Sequence, residues 1–330
     1  MIIMVDEPDE SFCLFGAEAL LERLQKMNKE ISRVREAEDT DPIHDMRVAS
    51  RRVRSALRLF GQCFDDKDVK VWNKKIKKVR KALGNARDAD VQIEFIEDYL
   101  DGLGKTNYRH GIARLLLRLR QKRERLQGKV NKSMDKLESS SILSEMTRKI
   151  RRLQITARMH QVDKFSPYLY QQAYFNISIR LEDMLAYEPY VNQSKRKEEH
   201  HSMRIAVKRL RYTMEIFEPL YDDELKEPIK TMRKIQTLLG DIHDCDVWVD
   251  YVPQFLEEEQ KRTMEYYGHL RAFPRLRSGI LYLKDERQKH RMELHQEFVN
   301  FWQDLQQQNI WDNLLKIISK PLPQKTGGES

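Results

Sequence analysis

The chain has 330 residues, 40% of them hydrophobic and 34% charged, with a formal net charge of +8. That length allows one large domain or two of ordinary size, and that apolar share excludes a disordered chain. Only 12 glycines and 10 prolines speak against a β-rich fold with many turns, while the surplus of cations favours anionic partners: nucleic acid, a membrane surface or phosphorylated compounds.

Apolar residues recur at helical spacing along almost the whole chain. Phe12, Phe15, Leu20, Leu24, Met27, Ile31 and Val34 predict a first helix over 12–36. Asp39-Thr40-Asp41-Pro42 is a helix start, and the second helix ends near Gly61. A third is predicted from Asp66 to Leu83, stopped by Gly84-Asn85, with Asp88 capping a fourth from Ala89 to about Leu100. A long basic helix follows from Tyr108 to Leu137, then a shorter one to about Met159. Ser166-Pro167 opens the next, to Leu185, and residues 190–199 read as a loop. Further helices are predicted over His201–Phe217, Asp223–Leu239 (ended by Gly240-Asp241), a segment capped by Asp244 up to Gln260, Ser278–Leu305 and Trp311–Ile318. The residues after Lys320 carry Pro, Gly and Ser and are expected to be disordered.

This order contains a repeat. His44-Asp45-Met46-Arg47-Val48-Ala49-Ser50-Arg51-Arg52-Val53-Arg54 returns as His201-Ser202-Met203-Arg204-Ile205-Ala206-Val207-Lys208-Arg209-Leu210-Arg211. Both copies read His-x-x-Arg-x-x-x-(Arg/Lys)-x-x-Arg. Each residue turns a helix by about 100°, so His44, Arg47, Arg51 and Arg54 share one face, extended by Arg58. Met46, Ala49, Val53, Leu57 and Phe60 share the opposite face, as do Met203, Ala206, Leu210, Met214 and Phe217. A second match aligns Leu83-Gly84-Asn85-Ala86-Arg87-Asp88-Ala89-Asp90-Val91 with Leu239-Gly240-Asp241-Ile242-His243-Asp244-Cys245-Asp246-Val247. A weaker echo sets Arg120-Gln121-Lys122-Arg123 against Arg287-Gln288-Lys289-His290. Matches in the same order predict two similar helical halves with a boundary near residue 160.

A solvated basic face usually carries Glu or Asp one turn away from its cations, and no acid sits within the stripe. Four like charges on one face repel, and arginine forks prefer anions, so both stripes read as anion sites. In the third helix Lys74, Lys77 and Lys81 lie away from the apolar stripe, matched by Lys230, Arg233 and Thr237. Lys78 and Lys234 also correspond, and periodicity does not assign them a side. The Gly-x-x-(Arg/His)-Asp-x-Asp element resembles a metal site in outline, but its glycine and aspartate also suit a C-cap followed by an N-cap, the simpler reading. Convergent ligand sets are absent from the pattern, and His-Asp at 44–45 becomes His-Ser at 201–202. Phosphate-loop, GxSxG and HExxH signatures are missing. Trp72, Trp248, Trp302 and Trp311 sit at core spacing. Cys13, Cys63 and Cys245 are odd in number and far apart, which predicts buried or inert thiols in a reducing compartment. Met1–Glu10 has no signal-peptide pattern, and no run approaches the roughly 18 apolar residues of a spanning helix. A soluble, cytoplasmic protein is expected.

The doubled His-x-x-Arg-x-x-x-(Arg/Lys)-x-x-Arg, each copy followed by Leu-Gly-x-x-x-Asp-x-Asp-Val, resembles the CHAD domain, the conserved histidine α-helical domain, over roughly residues 12–318. The resemblance implies an all-α fold of two four-helix bundles related by a pseudo-two-fold axis, with a central basic channel that binds inorganic polyphosphate. The halves would be residues 1–160 and 161–318, with 319–330 as a disordered tail. Carried over, the polyphosphate-binding residues are His44, Arg47, Arg51 and Arg54, and His201, Arg204, Lys208 and Arg211. The third-helix cations of the family fall on Lys77 and Arg233, with Lys74 and Lys230 beside them. Lys208 stands where the first half has Arg51, which keeps the charge and loses a fork. Some family members carry an attached triphosphatase domain with an alternating Glu-x-Glu-x-Lys strand, and no such attached domain is expected here.

The expected function is therefore non-catalytic binding of polyphosphate, free or in granules, with no cofactor, no metal and no membrane. Its affinity should fall steeply with salt and strengthen below about pH 6.5, where histidines protonate. Two readings from other classes stand beside it: a nucleic-acid-binding helical protein and a metal-dependent phosphohydrolase.

Overall fold

The computed structural model describes residues 9–36 and 41–320, so the helix start at Asp39-Thr40 and the tail beyond Lys320 lie outside the described residues. Among the described residues there are ten α-helices and no strand: α1 (Glu10–Glu36), α2 (Asp41–Phe60), α3 (Asp66–Gly102), α4 (Thr106–Glu138), α5 (Ile142–Met159), α6 (Pro167–Leu185), α7 (Lys197–Phe217), α8 (Lys226–Tyr267), α9 (Phe273–Gln307) and α10 (Ile310–Ile318). The all-α fold read from the sequence is the fold observed. Local chemistry explains several boundaries. Asp65 caps α3 by accepting from the Lys67 amide, and Ser166 caps α6 by accepting from the Leu169 amide, with Pro167 in the first turn. Gly268 ends α8 in the left-handed conformation, φ 70°, which a side chain would disfavour.

Two expected breaks do not occur. Gly84 lies inside α3 and Gly240 inside α8, and Asp88 and Asp244 are mid-helix residues rather than N-caps. Gly268 is the one glycine with positive φ among the described residues, so neither Gly84 nor Gly240 has the backbone of a C-cap. Each lies beneath a stripe arginine instead. A Cβ on Gly84 would lie 3.5 Å from Nη1 of Arg47, and one on Gly240 would lie 3.5 Å from Nε of Arg204. Both are ordinary contact distances, so the two glycines mark where a stripe arginine rests on the next helix.

The packing order repeats along the chain. In the first part α2 packs on α1 and α3, α3 on α4, and α1 on α5; in the second α7 packs on α6 and α8, α8 on α9, and α6 on α10. The parts meet where α4 lies along α9 and α2 along α7. At the first contact a Cβ on Gly111 would sit 2.2 Å from the Leu276 carbonyl oxygen, and one on Gly279 would sit 2.2 Å from that of Tyr108. At the second, Phe60 and Phe217 stand 6.1 Å apart between ring centroids, with Phe15 stacked on Phe217 at 5.9 Å. Buried residues form two clusters. The larger includes Phe12, Phe60, Trp72, Phe217 and Trp302; the smaller gathers Ile96, Leu115, Trp248, Phe255 and Ile280 where α3, α4, α8 and α9 run together. Both take residues from either side of residue 160.

Ion pairs fix the register of the long helices. Arg123 on α4 pairs with Asp90 on α3, and Arg291 on α9 pairs with Asp246 on α8 at 2.6 Å. The second aspartate of each Asp-x-Asp thus holds an arginine of the following helix. Gly111 and Gly279 are as far apart in the sequence as Arg123 and Arg291, so the α4–α9 echo is shifted by one residue, with Arg123 matching Arg291 rather than His290. Cys13 and Cys63 are joined by a disulfide, Cα–Cα 5.4 Å, which corrects the expectation of three unpaired thiols. Cys245 is free and buried, and burial pushes its thiol up to about 11. No helix among the described residues is long and apolar enough to cross a membrane.

Candidate anion site

The apolar faces of α2 and α7 are committed to the core, so their basic faces turn outward toward α3 and α8. Between these four helices, with α4 and α9 at one side, lies a cavity of about 1090 Å³. His44, Arg47 and Arg51 line it from α2, and Arg204 and Lys208 from α7. Five of the predicted binding residues are therefore brought together. Arg47 is anchored by two hydrogen bonds, donating to the Gly84 carbonyl at 2.7 Å and to Asp88 at 3.0 Å.

The remaining predicted residues do not line this cavity. Arg54 and Arg211 lie further along the same helix faces. Arg211 is paired with Glu215 at 2.8 Å and stacks over Tyr212, whose ring also lies 5.9 Å from Arg51. Glu215 gives the second stripe an acid where the first has Arg58. His201 touches the site through His243, with ring centroids 4.5 Å apart. Lys74 and Lys77 are exposed on α3 away from the lining, as is Lys78. Lys230 is exposed and pairs with Glu227 at 3.6 Å, and Arg233 pairs with Glu215 at 3.4 Å.

The cation that α3 gives to the first stripe is Arg80, whose charge acts on Arg51, Arg54 and Arg58. Arg87, one helical repeat beyond Gly84, lines the cavity and acts on His44. From α8 come Gln236 and His243, and from the outer helices Lys122, Arg287 and His290. Ending the helix at Gly84 left Arg87 beyond it, while Arg80, within the predicted helix, was passed over for Lys74, Lys77 and Lys81 on the same polar side. In a continuous helix Arg80, Gly84 and Arg87 share the face that meets Arg47.

Crowded cations oppose one another's charge. Burial, then Arg204, Arg51 and Arg47, bring Lys208 down to about 7. Burial with Arg204 and His201 lowers His243 to about 4. His44 and His201 are lowered too, first by burial and then by neighbouring arginines. Burial and the neighbouring cations thus move protonation of these histidines to lower pH than the expected 6.5. Asp241 and Asp244 also line the cavity, and burial raises both carboxyls. Nε of Arg54, Arg204, Arg211 and Arg287, and Nδ1 of His201, are buried without a hydrogen-bond partner among the described residues. No group of three or more His, Cys, Asp or Glu among them has the arrangement of a metal site. Such a constellation suits an extended anion with several charges, which supplies acceptors and relieves the repulsion.

The sequence pattern of the CHAD domain family matches residues 18–252. Among solved structures, the CHAD domain from the plant Ricinus communis superposes with a TM-score of 0.61 at 21% identity, covering 90% of this chain and 94% of that one. PptA from Streptomyces chartreusis gives 0.59 at 15% identity, over 88% and 98%. At those identities the likeness shows a shared fold. No curated protein matches the sequence. The family pattern runs through both stripe helices and both glycines that seat their arginines, and with that extent of match this chain belongs to the CHAD domain family.

Proposed function

We propose that the protein binds inorganic polyphosphate, without chemical turnover, in the cavity between α2 and α7. The carrying observation is the convergence of Arg47, Arg51, Arg204 and Lys208, from two helices far apart in sequence, on one space. Linear polyphosphate carries roughly one charge per unit, so a row of guanidinium groups meets it with charge-assisted hydrogen bonds. The surplus of like charge among these residues is then a store of affinity. Soluble chains and the surface of polyphosphate granules present the same chemistry. A cytoplasmic location belongs to this reading, and the Cys13–Cys63 bond weighs against it, since persistent disulfides belong to oxidising compartments.

Replacing Arg47, Arg51, Arg204 and Lys208 together by Ala should weaken polyphosphate binding by a factor of about a hundred or more, with the helical circular dichroism retained. Binding that survived the four substitutions would remove the site. Long polyphosphate should displace single-stranded RNA or DNA from the protein, and displacement in the opposite sense would favour the nucleic-acid reading. Incubation with Mg²⁺ or Mn²⁺ should release no phosphate; release would make the protein a phosphohydrolase.

A further inference from the structure

Lys122 on α4 lines two cavities. One is the large anion cavity; the other is a smaller one of about 250 Å³ between α4 and α8, which Arg118, Arg125 and Arg262 also line. α4 runs antiparallel to α8 here: Lys122 lies over the Tyr251 ring at 5.7 Å, and Arg118 reaches Glu259 two turns further along α8. Cations stand along α4 at helical repeat, and Arg114 to Lys122 spans about 12 Å. Their neutralisation is incomplete. One buried carboxylate, Glu259, 1% exposed, receives Arg114 at 3.1 Å, Arg118 at 2.8 Å and Arg262 at 3.3 Å. Glu258 adds a second contact to Arg262 at 2.7 Å. Lys122 and Arg125 have no ion-pair partner among the described residues.

The opposite face, between α3 and α9, differs in charge. The spacing of Gly111 and Gly279 sets Tyr282, Glu286 and Glu293 where α4 has Arg114, Arg118 and Arg125. Glu286 accepts from the hydroxyls of Tyr99 and Tyr282, and Glu293 pairs with His290 at 3.2 Å and Lys289 at 3.9 Å. An anion leaving the cavity thus meets a surplus of cations on the α4–α8 side, whereas on the α3–α9 side Lys289 and His290 are paired with a carboxylate.

We infer that the anion tract continues out of the cavity along the α4–α8 face alone, through Lys122 to Arg118, Arg125 and Arg262, and that this arm grips phosphate chains too long for the cavity. The inference rests on the polyphosphate reading and adds a direction and a length preference to it. Long chains gain contacts that short ones never reach, so affinity should rise with length beyond the filling of the cavity.

The test compares tripolyphosphate with long-chain polyphosphate on the full protein. Arg125→Glu, at an exposed site without a partner, should weaken long-chain binding about tenfold and lower the salt slope by about one, the weight of one phosphate contact. Tripolyphosphate binding should stay within about twofold of its starting value. Lys289→Glu changes the net charge equally on the α3–α9 face and should leave both ligands within about twofold. Equal losses from Arg125→Glu and Lys289→Glu, equal losses for both chain lengths, or no loss at all would overturn the arm while polyphosphate binding itself stood. An unmodified protein that binds neither chain would instead overturn the polyphosphate reading, and the arm with it.

Discussion

Arg51 of α2 and Lys208 of α7 hold matching places in their helices and line the same cavity, yet they present different chemistry. Burial and neighbouring arginines lower both groups, but Arg51 starts from the far higher guanidinium range, whereas Lys208 is brought to about 7. Further along, Arg58 extends the first stripe, while the place matching it in the second is Glu215, which draws in Arg211, Arg233 and Arg52. Arg87 on α3 is matched by His243 on α8. What the two parts hold in common is of another kind: Arg47 and Arg204 against glycines, Asp90–Arg123 and Asp246–Arg291, and the crossing at Gly111 and Gly279. Shared residues set the spacing of helices. Differing residues set how strongly, and at which pH, each wall attracts an anion.

The largest effect should come from the shared crossing. A methyl group at Gly111 or Gly279 meets a backbone carbonyl 2.2 Å away, which cannot rotate aside as a side chain would. Gly111→Ala and Gly279→Ala should each cost about 3 kcal/mol or more in urea unfolding, because α4 and α9 must part. Together they should cost less than the sum, since helices already separated accommodate the second methyl. If one variant were tolerated and the other not, the two parts would not be equivalent at this contact.

A smaller effect separates the two walls by pH. An anion beside Lys208 offsets the repulsion and raises its pKa from about 7 toward the ordinary lysine value. The bound form then holds a proton that the free form has lost. Affinity is fully present below pH 7 and falls as pH rises above it, by up to about tenfold per unit until the raised pKa is passed. Lys208→Arg should flatten that decline between pH 7 and 9 in a titration with polyphosphate. An unmodified protein with constant affinity over that range would place Lys208 out of reach of the anion.

The stripes themselves were legible because a helix sorts residues by angle: Met46, Ala49, Val53 and Phe60 went to the core, and Arg47 and Arg51 were left opposite. Gly84 and Gly240 were read as stops because glycine before Asn or Asp commonly ends a helix; only the arriving arginine gives each another use. Those stops hid the faces of Arg87 and His243. Lys74, Lys77 and Arg80 all avoid the core, and periodicity does not say which side of a polar face meets a neighbour. Lys122 and Arg287 reach the cavity from other helices, a matter of tertiary packing. Cys13 and Cys63, 50 residues apart, show no spacing that marks a bridge.

The smallest effect concerns Glu215, and its sign carries the information. The carboxylate lies 2.8 Å from Arg211, 3.4 Å from Arg233 and 3.5 Å from Arg52, and is itself nearly buried. If it masks these cations, Glu215→Gln frees them and polyphosphate affinity rises about fivefold at low salt, with a smaller gain at high salt. If it holds Arg211 in place over Tyr212, the same change loosens the guanidinium and affinity falls. Masking is the expected outcome, because the stacking on Tyr212 and the buried stem already restrain Arg211 without the carboxylate. A fall in affinity would mean that the second stripe uses its acid to aim an arginine, and that the two walls differ in how they present charge rather than in how much they carry.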